Sequence, residues 1–200
     1  MADLAAGAVL MVRTGCSEPE LLAAARRGDL KAFECLVRLH ERRVYGLALR
    51  ISGNAEDAKD ALQETFLRLH RNLSRIDSEL AIAPWLAQVA VNICRDMRRA
   101  RRRSRLVAID SVGPADSRPD PAAGPEQQAA ARERERHLQA ALRDLPETEC
   151  AALVLREMQG LTTREVARAL GSSETTVRSQ ISRARLRLRK IFAERLGGVR

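Results

Sequence analysis

Seven arginines and one acid, Asp96, stand between Arg95 and Arg105. Guanidinium at that density is costly without a counterion, and phosphate is the one it fits. Just upstream, Gln88, Asn92, Arg95 and Arg99 recur at steps of four, three and four, which places them on one face of a helix. Asn92 carries a short amide able to bond an exposed base edge. Trp85, at the start of that helix, is a ring suited to the core and, partly buried, to a wedge against an unstacked base. A second set lies near the C-terminus. Val177, Ile181, Ala184, Leu188 and Phe192 form an apolar stripe, and Thr175, Arg178, Ser179, Ser182 and Arg183 turn away from it, followed by Arg185 and Arg187. Arginine grips guanine O6 and N7 with two hydrogen bonds, and short hydroxyls bond to phosphate or base edges. A third set is acidic: Glu56, Asp57, Asp60, Gln63 and Glu64. Phosphate is repelled there, so this face meets solvent or protein. Glu56 and Asp57 suit the positive end of a helix, but Gln63 and Glu64 lie beyond its first turn.

No set of residues is arranged for covalent catalysis. There is no glycine-rich phosphate loop and no G-x-S-x-G, and His40, His70 and His137 have no cysteine or carboxylate at a metal-ligand spacing. Cys16, Cys35, Cys94 and Cys150 are too far apart for a zinc finger or a C-x-x-C motif. The chain is therefore expected to be no enzyme and to need no metal or cofactor. Scattered single cysteines read as small half-buried hydrophobes and suit a reducing cytoplasm. The whole chain of 200 residues carries 35 basic and 26 acidic side chains, a net charge of +9, with a pI near 10.5. That balance points to a polyanionic partner, nucleic acid before a membrane surface. Aromatics are only 2%, which argues against β-sandwiches and against stacking platforms for RNA bases. No apolar run approaches the ~20 residues that cross a bilayer, so no membrane insertion is expected.

The elements that must position these sets read as helices. Asp29 caps a helix running to about Ile51, broken by Gly53, and Asn54 caps the helix that bears the acids. A shorter helix precedes them from Pro19 to Arg27. Pro84 suits the first turn of the arginine-bearing helix, which buries Leu86, Val89, Ala90, Ile93 and Met97. Four of the seven prolines fall between Pro114 and Pro125, in a stretch without periodicity that reads as a flexible linker. Beyond it, one helix carries Leu138, Ala141, Leu142 and Leu145, and another starts at Pro146 and carries Ala151, Leu153, Val154, Leu155 and Met158 before Gly160. Thr162 and Glu165 have capping-box spacing, Gly171 supplies a tight turn, and Ser172 or Ser173 caps the last helix. Two helices joined by a short glycine turn are a helix-turn-helix, whose second helix enters the major groove. The expected fold is all-α, with two helical domains joined by a flexible linker: an extension over 1–17, a first domain over 18–103, a linker over 104–125 and a helix-turn-helix domain over 126–200.

Three motifs occur in series: E-D-A-x-D-x-x-Q-E-x-F from Glu56 to Phe66, W-L-x-x-V-A-V-N from Trp85 to Asn92, and G-L-T-x-x-E-V-A-x-x-L-G…T-V-R-S from Gly160 to Ser179. Together they resemble the bacterial RNA polymerase sigma factors of the extracytoplasmic-function (ECF) type, over about Glu18–Arg103 and Leu138–Phe192. The resemblance implies that Asp60, Gln63 and Glu64 dock on core RNA polymerase. It implies that Trp85, Gln88, Asn92, Arg95 and Arg99 recognise the −10 element of promoter DNA, with the Arg98–Arg103 run on phosphates. It implies that the last helix, through Thr175, Arg178, Ser179, Ser182 and Arg183, reads the −35 element. Many members of that family are held inactive by an anti-sigma factor wedged between their two domains. The loop ahead of the tryptophan departs from the family pattern: Ile76, Ser78 and Ile82 stand where phenylalanines and a glycine are usual, so the base preferred at −10 is expected to differ.

Two rival functions use the same residues. A polymerase-independent DNA-binding regulator would leave the acidic helix without a partner, and a signalling adaptor would use its basic surfaces on proteins. Charge reversal at Asp60 and Glu64 separates the first rival from the sigma reading, and a salt-sensitive complex with promoter DNA and polymerase excludes the second. The sigma reading also requires that the charged faces of both DNA-reading helices be reachable and that the chain form more than one compact body.

Overall fold

The computed structural model describes residues 16–76, 82–104 and 125–196. The expected extension over 1–17 and the expected linker lie almost wholly outside these residues, as does Ser78. The described residues are helical and include no strand. The first domain holds α1 (Glu18–Arg26), α2 (Leu30–Ser52), α3 (Ala55–Asn72) with a short 3-10 turn at Leu73–Arg75, and α4 (Ile82–Ser104). The second holds α5 (Pro125–Arg143), α6 (Glu147–Leu153), which runs on through a π-helical turn at Val154–Met158, α7 (Thr163–Leu170) and α8 (Glu174–Leu196). Among the described residues no helix is long and apolar enough to cross a membrane.

Local chemistry sets the boundaries in the first domain. The Asp29 carboxylate accepts from the amides of Lys31 (2.9 Å) and Ala32 (3.2 Å), two of the donors that a helix start leaves without partners. α2 ends where Gly53 turns left-handed at φ 76°. The side chain of Asn54 then caps α3 through the amides of Glu56 and Asp57. α2, α3 and α4 pack on one another, and α1 lies against α2. Leu22, Leu36, Leu47, Ile51, Leu69, Ile82, Leu86 and Val91 are fully buried between them. Burial of each such side chain contributes roughly 1.5–3 kcal/mol. Glu18 closes the corner where α4 begins. Its carboxylate accepts from the Ile82 amide at 3.0 Å and lies 3.4 Å from Nε2 of the buried His40.

Two details of the second domain differ from the sequence expectation. Leu145 lies beyond the end of α5, in the turn before α6, and is buried there. The helix expected from Pro146 to Met158 keeps its start, but becomes π-helical at Val154, and Met158 is 39% exposed rather than core. Cys150 to Leu155 are buried without interruption. A helix apolar on all sides sits between two layers. Here the layers are α8 on one side and α2 of the first domain on the other. The cysteines are graded: Cys94 and Cys150 are buried, Cys35 is half-buried and Cys16 is exposed.

Candidate nucleic-acid interface

α7 and α8 are joined as a helix-turn-helix should be. The Thr162 hydroxyl accepts from the Glu165 amide at 3.3 Å, while the Glu165 carboxylate accepts from the Thr162 amide at 2.7 Å. The Thr162 hydrogen bonds hold the Glu165 carboxyl below the ordinary glutamate range. Gly171 adopts φ 60° and ends α7, and the Ser173 hydroxyl accepts from the Thr176 amide at 3.1 Å at the entry of α8. Of the two capping candidates it is Ser173 that holds this end. Val177, Ile181 and Ala184 are buried, with Leu188 and Phe192 half-buried behind them. Thr175, Arg178, Ser179, Ser182 and Arg183 are all exposed on the other side, so the structure brings this set together as one polar face.

The arginines of α8 are held from below by acids. Glu149 of α6 is only 5% exposed, and its two carboxylate oxygens lie 3.0 Å from Arg187 Nε and 3.8 Å from Arg183 Nε. Arg185 pairs with Glu157 at 2.5 Å, and Arg178 with Glu174 at 3.0 Å along its own helix. Sequence reasoning missed Glu149. Its only signal is an acid directly before the apolar run Cys150–Leu155.

On α4, Trp85, Gln88, Asn92 and Arg95 are half-buried, and Arg99 is exposed. Trp85 packs against the core, so it serves there whatever else it touches. Arg98 turns inward and donates to the Ile51 carbonyl at 3.0 Å, and Arg101 pairs at 2.6 Å with the buried Asp57. Burial raises the Asp57 carboxyl above the usual aspartate range, because desolvation outweighs the attraction of Arg101. Arg95 is engaged by the other domain. Glu147, in the first turn of α6, lies 2.9 Å from Arg95 Nε and 3.8 Å from Arg99 Nε. On α3, Asp60 and Gln63 are exposed, and Glu64 is half-exposed in an ion pair with Arg68 at 2.8 Å. The three therefore share one accessible strip of α3.

Residues 36–104 match the model of sigma-70 region 2, and residues 135–188 match that of sigma-70 region 4. The ECF RNA polymerase sigma factor SigM of Mycobacterium tuberculosis is 36% identical over 176 residues, spanning 88% of this chain and 85% of the relative. The chain belongs to the ECF sigma factors of the sigma-70 family. The ECF RNA polymerase sigma-E factor of Haemophilus influenzae is 32% identical, over 84% of this chain and 92% of its own length. Among solved structures, CnrH in complex with the cytosolic domain of CnrY is 26% identical, with a TM-score of 0.63 over 88% of this chain and 97% of that one. RpoE of Bartonella quintana, solved with the anti-sigma factor NepR, shares the fold at 22% identity and a TM-score of 0.64, over 86% of this chain and 100% of that one. This sigma factor thus directs core RNA polymerase to promoters, and its family consists of regulators of transcription rather than enzymes.

Proposed function

We propose a division of labour among three faces. The strip Asp60, Gln63 and Glu64 on α3 binds core polymerase. The α4 face, with Trp85, Gln88, Asn92, Arg95 and Arg99, captures the melted −10 element. The α8 face, with Thr175, Arg178, Ser179, Ser182 and Arg183, reads the −35 duplex. The observation that carries this reading is the α7–α8 unit, whose second helix buries one stripe and leaves five hydrogen-bonding side chains exposed opposite it. Unstacking DNA costs a few kcal/mol per step, offset by base capture and by phosphate contacts along α4. The chain catalyses no reaction of its own; bond formation belongs to the polymerase. It acts in the cytoplasm, where promoter DNA and polymerase are found, and an anti-sigma factor controls it.

The discriminating experiment is charge reversal on α3. D60K/E64K is expected to weaken binding to core polymerase at least about tenfold, or ~1.4 kcal/mol. Its circular-dichroism spectrum should match that of the parent, since both side chains lie off the buried stripe of α3. Unchanged polymerase affinity would favour a DNA-binding regulator that works without the polymerase.

A further inference from the structure

We propose that Glu149 is a positioning residue for −35 recognition: from α6 it fixes the guanidinium of Arg183, which sharpens base choice where that arginine meets the duplex and lowers the chain's affinity for DNA in general. This deepens, and rests on, the reading that α8 reads the −35 element.

An acid in the first turn of a helix ordinarily serves that helix, through its dipole or by reaching back to the N-cap amide. The N-cap of α6 is Pro146, which has no N–H to offer, and the Glu149 carboxylate meets the arginines of α8 instead. Its place is a costly one. Only 6% of the side chain is exposed, and Cys150, Ala151 and Ala152 beside it are buried. The desolvation of a carboxylate is offset by its partners only where the geometry is good, and an apolar side chain in its place is often the more stable choice. Here Oε2 lies 3.0 Å from Arg187 Nε without the alignment of a hydrogen bond, and Oε1 lies 3.8 Å from Arg183 Nε. Stability is therefore a poor account of this acid. What it supplies is order in the two arginines above it.

Arg183 is held at two points. Its Nε donates to the Ser179 carbonyl at 3.4 Å, within α8, and faces the Glu149 carboxylate of α6. That engages one of the five guanidinium donors and leaves the four on the terminal nitrogens for a base edge. A free arginine loses rotamer freedom when it grips a base, whereas one already fixed loses little and suits one base geometry best. The other acids paired with α8 cannot act in this way. Glu174 and Glu157, the partners of Arg178 and Arg185, keep 44% and 43% of their side chains exposed, so water screens those pairs and DNA can replace them. A negative charge this close to the reading face also repels phosphate, so Glu149 exchanges general affinity for discrimination.

The test compares the parent with E149Q, E149D and R183A as full chains. Each is assembled with bacterial core polymerase and given a genomic promoter library, and sequencing of the retained fragments reads the base preference at each −35 position. The chains alone are titrated, by anisotropy, against a fluorescein-labelled pool of random-sequence duplexes. R183A is expected to flatten the preference at the −35 positions that Arg183 meets. E149Q should weaken discrimination at those same positions about tenfold, although Arg183 is still present, and leave the remaining positions unchanged. On the random pool E149Q should bind roughly twofold tighter, because a negative charge is lost within a Debye length of the phosphates, and R183A should bind more weakly. E149D keeps the charge but draws the carboxylate back by one methylene. It should flatten the same positions with no gain on the random pool, and it covers the case in which E149Q fails to fold. Parental preferences in E149Q at the positions that R183A flattens would overturn the proposal alone, as would an even loss at every position, the mark of a merely structural role. Parental preferences throughout in R183A would overturn the reading of Arg183, and the proposal with it.

Discussion

Glu18 illustrates how a single side chain can be structural at one pH and a liability at another. Its contact with His40, aided by the Ile82 amide and nearby Arg43, holds its carboxyl below the ordinary glutamate range despite desolvation. A lowered carboxylate pKa means that ionised Glu18 stabilises the fold above the unfolded-state value, and that this contribution is lost as pH falls through the folded-state value. Thermal melts between pH 7 and pH 3 should therefore show the parent losing more Tm than E18Q, the gap opening only below about pH 4.5. Equal acid sensitivity in the two proteins would refute the role given to this carboxylate. At this scale the sequence was legible wherever partners are near in the chain. Asp29, Asn54 and Thr162 each bond amides two or three residues on, and all three act as the spacing predicts. Glu147 and Glu149 were illegible because their arginines lie far along the chain, those of Glu147 in another domain. Nor does a run of like charges reveal which members are engaged within the fold, and here Arg98 bonds the Ile51 carbonyl while the exposed Arg101 pairs with Asp57.

At the scale of elements, the helices followed from hydrophobic period and punctuation. Gly53, Gly160 and Gly171 all adopt positive φ, where the sequence expected breaks and turns. The helix-turn-helix depends on the Thr162–Glu165 box, which fixes the start of α7 and hence the angle at which α8 is presented. T162A is expected to cost about 1 kcal/mol of stability, read as a lower urea midpoint with an unchanged slope. No loss would mean that packing of Val166 and Ala167 alone holds α7 in place. The π-turn at Val154 was not legible. The run Cys150–Leu155 is apolar throughout, so its pattern carries no phase from which a change of helix type could be read. The run did carry other information, since a helix without a polar side must be covered on both, and the second cover is the first domain.

For the molecule as a whole, helical periodicity was enough to reach an all-α fold, and the three motifs in series carried the resemblance to the ECF sigma factors. How the domains sit on each other was not legible. The contacts that join them, Gln139 to Leu49 O, Arg143 to Gly53 O and Arg43 to Gln159, use backbone oxygens and single polar side chains that leave no periodic trace. The sigma reading needs both charged helix faces within reach of DNA. α8 presents its whole set exposed, whereas on α4 Arg99 is exposed and Arg95 is paired with Glu147. The central claim, that this chain confers promoter choice on a polymerase, is tested most directly by transcription in vitro. Purified chain and bacterial core polymerase, given a genomic promoter library, are predicted to yield transcripts whose start sites share −35 and −10 elements, and R178A should abolish most of them. Transcripts no more abundant than those of core polymerase alone would contradict the account.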